Sequence, residues 1–169
     1  MTSEDQPQTE PSGAASVIAP LGRVVVSFNY LEMILSMSIW TLLGCDQFTG
    51  QCVTAQLPFK GLINAFCSLW YRRTSDPGIV ASVQSLRVRL EAAEQRRNEL
   101  LHSLWAVGTA QGTSTRFKYS AKAKRGWAVQ SADLSAADVD AVADEMTVLS
   151  KEVMKLLTAF LRSLPNQAP

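Results

Sequence analysis

Residues 135–164 read SAADVDAVADEMTVLSKEVMKLLTAFLRSL. Val139, Val142, Met146, Leu149, Val153, Leu156 and Phe160 recur at steps of three and four without a miss. That spacing lines one face of an α-helix. Ser135 and Asp138 stand before the seam as an S-x-x-D capping pair. Pro165 follows Leu164 and marks the end. A long helix with one apolar stripe needs other helices to cover it, and the chain upstream supplies them.

Working backwards, a helix is expected over 77–105, with Val83, Leu86, Leu90, Ala93, Leu100 and Leu104 as its seam. One seam position holds Arg97. A charge on an apolar stripe breaks the local rule, and such breaks tend to mark functional or interface sites. A helix over 49–73 has Pro58 in its middle, which forces a kink or a division into two short helices. Residues 16–43 form the first helix. Leu21, Val24, Phe28, Leu31, Leu35 and Leu42 make its stripe, Ser38 fills the one gap and Gly44 is a C-cap. Val25, Ile34, Met37 and Ile39 make much of its other side apolar, so this helix is central or meets a second subunit.

Between the last two helices, 106–132 loses the helical period. Arg116, Phe117, Lys118 and Tyr119 alternate with period two, and Trp127 and Val129 offer a second strand. The expected fold is all-α: an antiparallel four- to five-helix bundle with a small β-hairpin or ordered loop inserted before the last helix. One domain over 16–164 fits the length, flanked by a disordered tail over 1–15 and a short tail over 165–169.

Composition narrows the classes. The hydrophobic fraction is 47%, enough for a core without metals or disulfides. Sixteen basic residues against 15 acidic ones leave a net charge of +1, so attraction to a polyanion must come from a local patch. Cys45, Cys52 and Cys67 are odd in number and lack a C-x-x-C pair. His102 is the only histidine, so a zinc site is not expected, and the thiols read as buried and inert, which suits a reducing compartment. The N-terminus lacks the basic start and apolar run of a secretory signal. The most apolar stretch, 33–45, is shorter than the ~20 residues that span a bilayer. These readings favour a cytoplasmic protein with no membrane partner.

The stretch RRNELLHSLW, 96–105, carries chemistry. Asn98 and His102 are four apart and share a helical face. Arg97 and His102 lie about 140° apart around the axis and about 7.5 Å apart along it. Histidine titrates near neutral pH and can take a proton from a ribose 2′-hydroxyl or give one to a leaving oxygen. Arginine offers a permanent charge and a planar fork of donors to a phosphoryl group in transition. Asparagine orients either partner. One histidine cannot serve as both acid and base at once, so a two-fold dimer that brings a second set to the same cleft would complete the site. The plainer reading is a histidine that interacts with the last carbonyls of its helix and an arginine that pairs with Glu94 or an acid of the last helix.

These residues resemble the HEPN superfamily of small helical bundles. Its signature is Arg-x4-6-His near the end of the third helix, often with Asn after the arginine. Arg97, Asn98 and His102 match that pattern in that place, and Glu32 matches more loosely a polar residue of the first helix. The similarity covers 16–164. It implies a homodimeric, metal-independent endoribonuclease needing no cofactor, often a toxin or defence effector, with RNA as substrate. A small nucleotidyltransferase-like antitoxin is a common partner. The segment between the last two helices is longer than a minimal member needs. Some members have lost catalysis and serve as binding modules, which is the alternative reading here.

A second feature is the basic run Arg116, Lys118, Lys122, Lys124 and Arg125, interleaved with Phe117, Tyr119 and Trp127. No acid occurs between His102 and Asp133. Charge that tracks phosphates and rings that stack on bases suit single-stranded nucleic acid, and Arg116, Lys118, Tyr119, Lys122, Lys124 and Arg125 are the candidate contacts. The alternative is a solvated hairpin whose rings pack back on the bundle. Asp138, Asp140, Asp144 and Glu145 sit where acids suit the start of a helix, and read as a solvated face.

Overall fold

A computed structural model describes residues 17–122 and 126–164. The two expected tails, with Lys124 and Arg125, lie outside the described residues, and only the backbone of Lys122 is described. Among the described residues the chain is mostly helical, with five helices and one three-stranded antiparallel sheet.

Helix α1 (Ile18–Leu43) touches each of the other four helices, most broadly the last. Val24, Phe28, Leu31, Leu35 and Leu42 are buried, as the stripe requires. Ser38 fits the apolar face because its hydroxyl donates to the Ile34 carbonyl at 2.7 Å. The helix stops at Gly44, whose φ of +73° turns its N–H back onto the Trp40 and Thr41 carbonyls. By length and composition alone α1 is long and apolar enough to cross a bilayer, as core helices of globular proteins can also be, and 33% of its apolar window is buried inside the protein. Its outer side stays open: Val26, Tyr30, Met33 and Met37 are exposed.

The expected Pro58 kink resolves into two helices, α2 (Gln47–Thr54) and α3 (Phe59–Arg73). Pro58 stands at the N-cap of α3, where its missing N–H costs nothing. Helix α4 (Pro77–Leu101) starts on Asp76, whose carboxylate accepts from the Gly78 and Ile79 amides. Helix α5 (Ala136–Ser163) begins with the expected capping box: Ser135 and Asp138 each accept the other's backbone N–H. Helices α1, α3, α4 and α5 close around one apolar core, and α2 sets Gly50 and Thr54 against Trp40 of α1. Of the three cysteines, Cys67 is buried and Cys45 half-buried, but Cys52 is exposed. Burial pushes the Cys67 thiol up.

The fold is not all-α, and the insertion is more than a hairpin. Strands β1 (Leu104–Val107), β2 (Thr113–Lys122) and β3 (Gly126–Ser135) form a sheet in that order. The helix expected to reach Trp105 ends at Leu101. Leu104 and Trp105 pair instead with Phe117 and Arg116. That pairing satisfies backbone groups that a further helical turn would have left open. Because β1 is short, only Ser114–Phe117 of β2 has neighbours on both sides, and 118–122 pair with β3 alone.

Three aspartates titrate with the fold. Hydrogen bonds from the Thr49 amide and hydroxyl hold Asp46 below the ordinary carboxylate value. Thr109 and then Thr115 do the same for Asp133, and the Ser135 hydroxyl and amide for Asp138. A carboxylate with a depressed folded pKa stabilises above its unfolded value, about 4, and loses that contribution as pH falls through the folded value. The unfolding midpoint in urea should therefore drop progressively below about pH 4, whereas Glu94, held above its ordinary value by burial, acts in the opposite sense at higher pH. A midpoint that rises as pH falls below about 4 would contradict the sign argued for the three aspartates.

Candidate functional site

The α4–β1 junction sets the site. His102 is the C-cap of α4, with φ −101° and ψ 31°, and its N–H still reaches the Asn98 carbonyl at 3.1 Å. The chain then leaves the helix for β1. The imidazole is exposed, and it has no hydrogen-bond or ion-pair partner among the described residues. It is neither sealed in the core nor engaged by a neighbouring acid.

Arg97 sits a turn and a half earlier and faces the other way, towards α1. Its guanidinium carbon lies 5.0 Å from the centroid of the Phe28 ring, within cation–π range. Nη1 donates to Asn98 Oδ1 at 2.9 Å. Nε is buried and has no hydrogen-bond partner among the described residues. This explains how a charge occupies a seam position: the ring face receives it, and the neighbouring amide fixes its plane. No carboxylate pairs with Arg97 among the described residues, so the expected Glu94 bridge is not made. Burial pushes the Glu94 carboxyl above the usual range, with Lys60 and Arg97 pulling it back. Glu32 is half-buried on α1, on the side facing Glu94. The structure thus joins Arg97 to Asn98 by a side-chain bond and Asn98 to His102 by a backbone bond. It makes no direct contact between the guanidinium and the imidazole.

Arg96 is committed elsewhere, in a 2.6 Å ion pair with Glu145. Arg23 bridges Asp140 and Asp144 at 2.5 and 2.6 Å. The acids at the start of α5 are therefore a paired face. Among the described residues no group of three His, Cys, Asp or Glu side chains is placed to hold a metal.

The sheet divides the basic and aromatic residues. Successive side chains of a strand point to opposite faces. Arg116 and Lys118 thus lie on one face of β2, and Phe117 and Tyr119 on the other. The register adds Trp127 and Val129 to the ring face, opposite Ala121 and Tyr119. Tyr119 and Trp127 have centroids 6.3 Å apart and planes inclined by 36°. Lys118 is half-buried and Tyr119 exposed.

Arg116 departs from the expectation of an RNA contact. Its side chain is only 12% exposed. Nη1 donates to the Glu99 carbonyl at 3.1 Å and lies 4.0 Å from the Glu99 carboxylate. It clasps the sheet to the end of α4 and supports the loop that carries His102. Two features escaped the sequence. Phe28 reads there only as a core residue, and its role under Arg97 needs a contact between distant segments. Asp133, held by the Thr109 and Thr115 hydroxyls, gave no signal beyond being the first acid after His102.

The fold and site together define a mostly helical protein whose Arg-Asn-x-x-x-His segment ends a helix against a three-stranded sheet. No family model matches the chain, and no curated protein or solved structure does either.

Proposed function

We propose that this chain is a metal-independent endoribonuclease of HEPN type, its helices an antiparallel bundle of that superfamily. The observation that carries the reading is an uncommitted imidazole at a helix end, following a guanidinium already oriented by Asn98 and Phe28. Among the described residues only Nη1 bonds to a protein acceptor and Nε is buried, so the second terminal nitrogen is the donor left for a phosphoryl oxygen. In the reaction His102 takes the 2′-hydroxyl proton, the 2′-oxygen bonds to phosphorus, and the bond from phosphorus to the 5′-oxygen breaks. The leaving oxygen takes a proton from an acid, which a second copy's His102 would supply. Arg97 offsets the charge that builds on phosphorus. RNA, a second copy and a nucleotidyltransferase-like antitoxin are the proposed partners. A cytoplasmic toxin or defence effector is the proposed role.

Purified chain should cut RNA in EDTA and leave 2′,3′-cyclic phosphate and 5′-hydroxyl ends. Arg97→Met keeps an apolar stem on Phe28 and removes the fork, and should cut about 10²- to 10³-fold more slowly. No cleavage of any RNA, or equal rates in the variant, sinks the proposal.

A non-catalytic helical module is the second reading, favoured by the open apolar side of α1. Val26, Tyr30, Met33 and Met37 recur on one outer stripe, as helix–helix seams do. Under either reading this stripe meets a second copy. Val26→Glu with Met37→Glu should convert a dimer to a monomer in light scattering at micromolar concentration. A wild-type chain that is already monomeric there would rule out this interface.

A further inference from the structure

We infer that the outward face of the sheet is a stacking platform for unpaired bases of a single RNA strand. The choice of RNA as the occupant rests on the ribonuclease reading, but the platform itself follows from how the sheet is seated. The bundle takes the other face: Trp105 and Leu134 pack on the core, and Arg116 grips Glu99. Trp105 pairs with Arg116 and Leu134 with Ser114, so these residues share that inner face. The remaining face carries Leu104, Phe117, Tyr119, Trp127 and Val129. Thr115 at its base is buried and Phe117 half-buried, but its outer part is open. Trp127 is 72% exposed, Leu104 65% and Tyr119 53%. Rings left in water at an apolar cost suit a flat apolar ligand.

Charge selects the ligand. From Leu104 to Ala132 the sequence holds no acid and, besides the inward Arg116, four basic residues: Lys118, Lys122, Lys124 and Arg125. The surrounding helices, by contrast, pair their charges. The one acid on the ring face, Asp133, stands at its base with its carboxylate engaged by two threonine hydroxyls. Lys118 lies on the other face, in the part of β2 that pairs with β3 but not with β1, so the edge beside it is open and its long side chain has room to reach around that edge. A polyanion with exposed aromatic faces fits this surface. A duplex does not, because its bases are hidden in the stack. The strip is also continuous with the site: Leu104, paired with Phe117, stands two residues after His102.

The test uses the full chain with His102→Ala, which binds without cutting, and fluorescein-labelled twelve-nucleotide oligo(U) and oligo(A). Anisotropy should report binding that falls about 5- to 100-fold with either Trp127→Ala or Tyr119→Ala. Trp127→Phe and Tyr119→Phe should restore most of it, since stacking needs a ring and not a particular one. A hairpin RNA of equal length should bind more weakly than the single strand. Equal binding by the alanine variants overturns the platform, as does equal binding of the duplex. Ring variants that change only the oligomeric state overturn it too, and mark a protein surface. Cleavage by the wild-type chain is scored separately. Ring variants that cut and bind normally remove the platform and leave the ribonuclease. Ring-dependent binding without any cleavage removes the ribonuclease and leaves the platform.

Discussion

His102→Ala should slow RNA cleavage by about 10²- to 10⁴-fold, the usual contribution of a positioned general acid or base, and leave the fold unchanged. The two halves of this expectation have separate causes. His102 is the chain's only histidine, so no other imidazole can take over the proton. Its side chain makes no hydrogen bond among the described residues, and the helix cap it provides uses its backbone N–H. Alanine keeps that N–H. Single-turnover cleavage and urea unfolding measured on the same preparations separate the effects. A large loss of rate at an unchanged midpoint is the expected pair. A wild-type rate in the variant would remove His102 from the chemistry, and a collapsed midpoint would make its role structural.

Trp70→Ala should destabilise the protein by about 3–5 kcal/mol. Trp70 lies at the centre of the helical core, 2% exposed. Phe66 on its own helix and Phe160 on α5 meet it edge-on, with centroids 6.2 and 5.7 Å away. Removing the indole opens a cavity between two helices that this ring joins. One term opposes the loss. The indole N–H is buried without a hydrogen-bond partner among the described residues, a burden of about 1–3 kcal/mol that alanine relieves. The lower half of the range is therefore expected, and Trp70→Phe should cost much less than Trp70→Ala. Equal losses for both variants would show that the ring's bulk is not what holds α3 to α5.

Local signals carried the helices well. The stripe of α5, its capping box, the Gly44 stop and the Pro58 break are each written within a few residues, where period and cap chemistry act directly. The end of α4 was harder. Leu100 and Leu104 keep the helical step, so a local reading carries the helix to Trp105. What ends it at Leu101 is pairing with 114–117, a competition that no window around Leu104 contains. The interleaved rings and charges carry more than a strand signal. A period of two implies a strand and also assigns neighbours to opposite faces, so Arg116 and Phe117 could not both meet one ligand in the same way. Burial decided the rest: Arg116 turns inward to Glu99. For the candidate site, Arg97 stood out as a charge on a seam, yet its seat on Phe28 joins residues far apart in the chain.

The Arg116 clasp has one further consequence. It fastens the hairpin to the carbonyl of Glu99, three residues before His102, so the sheet that bears the rings is tied to the helix end that bears the imidazole. With bases seated on Tyr119 and Trp127, the number of nucleotides between a seated base and the severed bond becomes a fixed length of the protein. The clasp would then act as a molecular ruler: loosening it should blur the cut positions on a long transcript into a ladder while each cut keeps the same chemistry.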